Sequence, residues 1–300
     1  MLPAPNHKLV ALMLGLLARA AAAQDGSVHD GQAASSAPLR ARLVAESREL
    51  VAGRTNPVGV LLELADGWHT YAPFLNDSGL PLTLQPELPA GFVVRAAEWP
   101  APQRLSAEGG LLDHVYAGHV LLPLPLDVPA SAAGSTVTLR VHVGWMVCRS
   151  ACQRGEADVS LELPVAAAGA SPPFSDDAPA FAEARARTPQ PLPPQSAPLA
   201  AALESGALVL SAPGAAWLAF YPDADAPAFA DIGRDGARDG ERLALPLGDV
   251  ASPEAAVRGV AEVRWADGRA PSFFRLEVSV PSAPGRAVRA PTPQENPHVR

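Results

Sequence analysis

The sequence predicts an all-β protein built from two β-sandwich units joined by a proline-rich linker. Its 33 Pro and 24 Gly, against 5% aromatic residues, disfavour long helices and favour short strands separated by turns. The clearest strand is predicted at 136–147, where every odd-numbered residue from 137 to 147 is apolar. Strict alternation of this kind is typical of a strand with one buried face. A length of 300 residues exceeds that of one ordinary compact domain and is typical of two.

The first unit is predicted over residues 39–166. A second alternating run follows at 159–165, and because only a short polar segment separates it from 136–147, the two runs predict a β-hairpin. The remaining strands of this unit are predicted at 39–44, 58–64, 82–85, 92–97 and 115–124. Seven short strands punctuated by Gly and Pro indicate a β-sandwich.

The linker is predicted at residues 167–198, which contain two proline-rich stretches. Within it, 176–187 is predicted as one short helix, with acidic residues at its start and arginines at its end. The second unit is predicted over residues 199–281, and Asp267-Gly268 has the composition of a hairpin turn. The strands of this unit are predicted at 208–211, 217–221, 243–247, 261–265 and 273–280.

The N-terminus has the features of a secretory signal peptide over residues 1–23. An apolar core at 9–18 precedes small residues at 21–23, which form a cleavage site. Export places the chain in an oxidising compartment, where a disulfide persists, and the protein is expected to be soluble after cleavage. Residues 24–38 are predicted to be a flexible leader and residues 282–300 a disordered tail.

The charge and the polar motifs exclude several classes of function. A formal net charge of −8 makes nucleic acid and anionic membrane surfaces unsuitable partners. No Ser-His-Asp order, phosphate-binding loop or pair of catalytic acids stands out, so no cofactor is expected. His114 and His119 lie five residues apart, a spacing that matches no standard zinc site, and no metal ligand is predicted.

The chemistry is concentrated at Cys148 and Cys152, the only two cysteines. In an extended chain their Cα atoms would lie about 13 Å apart, whereas a disulfide needs about 4.4–6.8 Å. A bond between them therefore requires a turn. Three hypotheses remain open: a structural disulfide, a pair that cycles between dithiol and disulfide by exchange with another protein, and a copper site. In the copper hypothesis the helper ligands are Met146, His142, His114 and His119.

Four sets of motifs occur in a fixed order along the first unit. They are Gly67-Trp68-His69-Thr70-Tyr71 with Asp77-Ser78-Gly79-Leu80-Pro81; Leu88-Pro89-Ala90-Gly91-Phe92 with Trp99-Pro100-Ala101-Pro102; Tyr116-Ala117-Gly118; and the cysteine segment Gly144-Trp145-Met146-Val147-Cys148-Arg149-Ser150-Ala151-Cys152 with Gly155-Glu156-Ala157. Together they resemble the N-terminal periplasmic domain of DsbD-type thiol:disulfide interchange proteins, and the C-x3-C spacing is that of the ScsB-like branch. The resemblance covers residues 39–165, and the second unit weakly resembles the additional β domain of that branch.

The resemblance implies an immunoglobulin-like sandwich in the periplasm whose cysteine pair relays electrons, in the manner of a protein-disulfide reductase. It implies a thioredoxin-like donor and periplasmic thiol proteins as acceptors. Cys152 is then the nucleophile that forms the mixed disulfide, and Cys148 is the resolving partner. Tyr116 is expected in a loop that caps the cysteines, and His69 and Tyr71 are expected on the partner surface.

The sequence departs from the family pattern at two points. Gln153-Arg154 stands where the family has a hydrophobic residue followed by proline, which changes the surface that a partner meets. The membrane domain and the C-terminal thioredoxin-like domain that accompany this domain are absent from the 300 residues, so a separate membrane electron-transfer protein is expected. A copper-binding or copper-tolerance protein and a structural interaction protein with an inert disulfide remain the alternatives.

Overall fold

The computed structural model describes residues 34–36, 38–193, 198–226, 229–248 and 256–279. The predicted signal peptide, most of the predicted leader and the predicted tail lie outside these residues. The strands of residues 34–166 are β1 (Ala34–Ser36), β2 (Leu39–Ala45), β3 (Leu50–Val51), β4 (Thr55–Asn56), β5 (Val58–Leu64), β6 (His69–Tyr71), β7 (Thr83–Glu87), β8 (Val93–Val94), β9 (Gln103–Ser106), β10 (Leu112–Ala117), β11 (His119–Pro123), β12 (Leu126–Asp127), β13 (Thr136–Cys148) and β14 (Cys152–Ala166).

Two helices and eight further strands follow along the described chain. They are α1 (Ala178–Arg187), β15 (Gln190–Pro191), β16 (Ala200–Glu204), β17 (Ala207–Ser211), β18 (Ala215–Pro222), α2 (Ile232–Asp235), β19 (Ala237–Asp239), β20 (Arg242–Pro246), β21 (Ala256–Trp265) and β22 (Ser272–Ser279). Two short 3₁₀ helices lie at Glu108–Gly110 and Ala130–Ala132. The all-β prediction is confirmed. Among the described residues, no helix has the length and apolar character needed to cross a membrane.

Residues 34–166 form a β-sandwich of two main sheets. One sheet has the order β1-β2-β5-β11, and the other has the order β3-β14-β13-β6-β10-β9, with β7 also paired to β13. The main core lies between these sheets and includes the odd-numbered residues of β13 from Leu139 to Val147. The alternation in the sequence therefore identified the buried face of this strand.

The predicted hairpin is present and is longer than its two alternating runs. β13 and β14 pair antiparallel from Thr136–Pro164 at one end to Cys148–Cys152 at the other. The first run covers all of β13 except Cys148, whereas β14 begins at Cys152, well before the second run. The hairpin is therefore extended on its second strand, which pairs with the end of β13 as far as the cysteines.

The predicted strand 115–124 is wrong, because the chain changes sheets in its middle. β10 ends at Ala117 and pairs with β6 and β9, whereas β11 begins at His119 and pairs with β5 in the opposite sheet. Gly118 between them has φ +68°, a backbone conformation that favours glycine. Apolar residues on both sides of Gly118-His119 concealed this crossing.

The segment between the two groups of sheets packs against the first sandwich. The predicted helix within it is confirmed as α1, whose Phe181 and Ala184 lie against Val44, Leu61 and Leu121. An ion pair of 2.8 Å between Arg42 and Asp177 holds the start of this helix. Residues 176–187 therefore form an additional layer on the β2-β5-β11 sheet.

Residues 190–279 contribute a five-stranded sheet of order β15-β22-β21-β18-β19 and a three-stranded sheet of order β16-β17-β20. A second hydrophobic core lies among these strands. Four buried residues of this part, Ala219, Tyr221, Val260 and Phe273, belong instead to the core of the first sandwich. We call residues 199–279 the second unit because most of their buried apolar residues form this separate core. Its independence as a domain stays a prediction.

Candidate redox site at the hairpin tip

The two cysteines close the tip of the β13–β14 hairpin. Cys148 ends β13, Cys152 begins β14, and residues 149–151 make the turn that the sequence required. Their sulfurs form a disulfide, with the Cα atoms 4.1 Å apart. The two sulfurs differ in surroundings, since Cys148 is only 4% exposed whereas Cys152 and the whole turn are exposed. An approaching protein therefore meets Cys152 first.

A small apolar cluster covers Cys148 on the face of the sheet opposite to the main core. Tyr71 of β6 and Val115 of β10 are its buried members, and Leu105 and Met146 pack against them. The hydroxyl of Tyr71 donates a hydrogen bond to Sγ of Cys148 at 3.0 Å. Cys148 therefore sits in a mostly apolar pocket that has one polar group directed at its sulfur.

The ring of Tyr71 is fixed by the chain that follows β6. Gly79 has φ +71°, and a Cβ placed on it would lie 2.2 Å from Cζ of Tyr71. Only glycine fits this close approach. Ser78 beside it donates to the Asp113 carboxylate from both its N–H (2.8 Å) and its hydroxyl (2.6 Å), which ties this turn to β10. The turn thus holds the Tyr71 hydroxyl in line with the sulfur.

The charge state of Tyr71 supports its role as a donor. Burial raises the pKa of Tyr71 above its ordinary value, supported by the nearby Asp113 carboxylate and opposed by the Ser78 hydroxyl. The phenol therefore keeps its proton at neutral pH and donates a hydrogen bond to the sulfur. A hydroxyl donor at this distance stabilises a thiolate more than a thiol.

His69 and Trp68 surround the other side of the tip. His69 is the strand partner of Cys148, and its ring meets that of Tyr71 edge-on, with centroids 5.5 Å apart. Burial lowers the pKa of His69, with the Asp113 charge acting in the opposite direction. The guanidinium of Arg149 lies 5.3 Å from the centre of the Trp68 ring. An exposed cation therefore stands directly beside the disulfide.

Tyr116 is placed differently from His69 and Tyr71. It belongs to strand β10, faces the main core and is buried there. Its hydroxyl donates to the carbonyl of Pro100 at 2.7 Å. Of the three residues expected around the cysteines, the structure therefore brings His69 and Tyr71 to Cys148 and puts Tyr116 on the opposite face of the sheet.

Sequence reasoning did not identify Leu105, Val115, Gly79 or Asp113 as neighbours of the site. Gly79 was interpreted only as part of a turn, and nothing local distinguishes Leu105 from any other strand residue. The positions of Leu105, Val115 and Asp113 follow from the pairing of β10 with both β6 and β9. Only the family order of the motifs indicated that the Tyr71 and Tyr116 segments adjoin the cysteines.

The proposed copper helpers are dispersed, with one exception. Met146 packs on the Cys148 cluster. His142 lies six residues before Cys148 on an extended strand, about 20 Å away, and bonds to Asp158 at 2.8 Å. His114 is buried against Tyr221, and His119 is exposed on β11. Within the described ranges, no three His, Cys, Asp or Glu side chains are grouped closely enough to hold a metal ion.

The fold and the site define a class: an immunoglobulin-like sandwich domain with a disulfide at the tip of its longest hairpin. Residues 40–164 match the family described as the N-terminal domain of the thiol:disulfide interchange protein DsbD. This part of the chain is a DsbD N-terminal-like domain. No curated protein sequence matches the chain.

Comparison with solved structures indicates the same fold. The N-terminal periplasmic domain of ScsB from Proteus mirabilis aligns with a TM-score of 0.54 and 16% identity, over 83% of this chain and 97% of that one. The SafA pilin–SafB chaperone complex of Salmonella enterica gives a TM-score of 0.23 at 9% identity, covering 79% and 96%. The E. coli chaperone DraB gives 0.21 at 12% identity, covering 79% and 98%. Of these three, only the ScsB likeness is strong enough to indicate a shared fold.

Proposed function

We propose that this protein exchanges thiols and disulfides in the periplasm, relaying electrons from a thioredoxin-like donor to other thiol proteins through Cys148 and Cys152. The observation that carries the proposal is the difference between the two sulfurs. Cys152 is exposed at the start of β14, and Cys148 lies beneath Tyr71. A two-step relay requires an accessible cysteine that attacks the partner and a shielded cysteine that resolves the mixed disulfide.

In the delivery step the reduced protein attacks a disulfide of its partner. The Cys152 thiolate bonds to one partner sulfur, and the other partner sulfur leaves as a thiolate that takes up a proton. The Cys148 thiolate then attacks Sγ of Cys152, which re-forms the disulfide and releases the second partner sulfur as a thiolate. Two electrons pass to the partner. A thioredoxin-like dithiol reverses both steps and restores the reduced protein.

The Tyr71 hydroxyl contributes to both steps. During reloading, attack on Cys152 expels Cys148 as a buried thiolate, whose charge the hydroxyl stabilises. During delivery, the same hydrogen bond keeps Cys148 deprotonated and aimed at its neighbour. Arg149 adds a positive charge beside the tip, which favours thiolate at the exposed position.

Trapping the mixed disulfide tests this assignment. The probe is a thioredoxin with a single active-site cysteine blocked by thionitrobenzoate, and release of the coloured thiol measures attack. The Cys148→Ser variant, which keeps Cys152, is expected to react at least about tenfold faster than Cys152→Ser, because thiolate access governs the rate. A covalent adduct should appear on a non-reducing gel with Cys148→Ser only.

A glutathione redox titration of the wild-type protein with thiol trapping completes the test. A potential well above about −300 mV is expected for a working pair, whereas a lower value indicates an inert structural bond. Equal, slow reaction of both serine variants would contradict the roles of the two cysteines. A potential below that limit would contradict the relay itself.

Copper(I) binding is the second candidate, favoured by the contact between Met146 and the Cys148 cluster. Once reduced, two thiolates and this thioether form a set of soft ligands. The reduced protein would then take Cu(I) from a bicinchoninate complex in a 1:1 ratio, and both Cys152→Ser and Met146→Leu would weaken this. Failure of the wild-type protein to compete with bicinchoninate excludes this function.

A further inference from the structure

The second unit holds the edge of the sheet that carries the site. Strand β9 is the last strand of that sheet and pairs with β10 alone among the described strands. Arg104 of β9 is partly buried, and its guanidinium donates to three backbone carbonyls of the second unit: Ile232 at 2.8 Å, Gly233 at 3.1 Å and Phe220 at 3.4 Å. A planar group with five donors is suited to such a multiple contact.

Further contacts strengthen the same junction. The N–H of Leu75 donates to the carbonyl of Pro222 at 2.9 Å. Gly233 lies so close to the loop after β9 that a Cβ on it would be 2.9 Å from the carbonyl oxygen of Gly110. The ring of His114 packs edge-on against Tyr221, with centroids 5.4 Å apart. The second unit therefore contacts β9, the loop after it and β10.

This junction adjoins the residues that cover Cys148. Leu105 follows Arg104 in β9, and because successive side chains of a strand point to opposite faces, fixing Arg104 also fixes Leu105. Leu105 packs on the cluster of Tyr71, Val115 and Cys148. A short edge strand with one neighbour opens easily unless something else holds it. Arg104 provides that hold.

We propose that the second unit, acting through Arg104, anchors β9 so that Leu105 and its neighbours cover the sulfur of Cys148. Incoming thiols are thereby directed to Cys152. The anchor itself is a property of the fold, and its benefit to partner exchange rests on the proposed function. Arg104 is a positioning residue, since it touches neither sulfur.

Alkylation of the reduced protein tests the anchor. Iodoacetamide is added to the fully reduced chain, and peptide mass spectrometry follows the modification of each cysteine separately. In Arg104→Met we expect Cys148 to react about tenfold faster than in the wild type, because the opening of β9 becomes easier, while Cys152 changes by less than about twofold. The alkylation rate of Cys148 in Arg104→Lys should lie between those of the wild type and Arg104→Met, since a single ammonium replaces part of the contact.

Gly233→Ala disturbs the junction from the side of the second unit and leaves the sequence of the first sandwich unchanged. It should also raise the alkylation rate of Cys148, and it provides the test of the anchor if Arg104→Met does not fold. Arg242→Ala is the matched control, because Arg242 is an exposed arginine of the second unit that pairs with Glu204 at 2.9 Å, on a strand other than those that contact β9. This variant should leave both rates unchanged.

The possible outcomes separate the two proposals. Unchanged Cys148 protection in folded Arg104→Met and Gly233→Ala overturns the anchor, and the thioredoxin trapping result is unaffected. Equal acceleration of both cysteines also overturns it, because that indicates general loosening. Selective acceleration of Cys148 in a protein whose disulfide proves inert in the glutathione titration supports the anchor and overturns the relay.

Discussion

Reduction of the Cys148–Cys152 disulfide by dithiothreitol is expected to be about tenfold slower in Tyr71→Phe than in the wild-type protein, because one hydrogen bond to the departing thiolate is lost. We expect attack at the exposed sulfur of Cys152, with Cys148 leaving as a thiolate inside an apolar cluster. The hydroxyl of Tyr71, 3.0 Å from that sulfur, is the only side-chain donor that the described structure directs at it. Stopped-flow measurement of reduction at fixed pH gives the two rates.

The neighbouring tyrosine provides a matched control. Tyr116 is paired in register with Thr70, next to Tyr71, and its hydroxyl is buried on the opposite face, where it donates to Pro100. Tyr116→Phe should therefore lower the free energy of unfolding by about 1 kcal/mol and leave the reduction rate unchanged. Equal rates for Tyr71→Phe and wild type would show that the contact with Cys148 has no kinetic role. A slow Tyr116→Phe would indicate an effect of the sheet as a whole.

Local patterns in the sequence predicted the parts of the site that depend on period and spacing. The alternation from Val137 to Val147 identified β13 and its buried face, and the distance requirement of a disulfide demanded the turn between Cys148 and Cys152. The acids and arginines at 176–187 predicted α1. Each of these inferences concerns residues that are close together in the chain.

Features that depend on distant segments were not predictable in this way. Gly118 separates two strands of different sheets, yet the apolar residues on both sides of Gly118-His119 resemble one continuous strand. The face occupied by Tyr116 depends on the register between β10 and β6, which no single strand encodes. Arg104 resembles an ordinary surface arginine until the second unit is folded against it.

His114 packs against Tyr221 of the second unit, and we expect its burial there to make the free energy of unfolding fall at acid pH. The side chain is 0% exposed, its Nδ1–H donates to the carbonyl of Leu75, and its Nε2 has no hydrogen-bond partner in the described structure. Burial lowers the pKa of His114 to about 4, helped by the Arg104 charge and opposed by the Leu75 bond, Asp113 and Asp77. The folded protein therefore holds a neutral imidazole well below the pH at which an unfolded chain protonates it.

The sign of the effect follows from the lowered pKa. Above about pH 6.5 the imidazole is neutral in both states, and His114 contributes no pH dependence. Between pH 6.5 and the folded pKa of about 4, the unfolded chain binds a proton that the folded one refuses, so stability falls with the pH. The loss over this window should reach about 3 kcal/mol.

Urea unfolding at several pH values, compared between wild type and His114→Asn, measures this contribution. An asparagine amide retains a donor for Leu75 and does not titrate, so the variant should lose about 3 kcal/mol less than the wild type between about pH 7 and pH 4. His114→Gln serves if the asparagine variant is too unstable at acid pH. Parallel stability curves would show that the imidazole is not kept neutral. The carboxylates protonate alike in both proteins. The difference between the two slopes of unfolding free energy against pH therefore belongs to position 114, and it measures the cost of a charged imidazole at the junction of the two units.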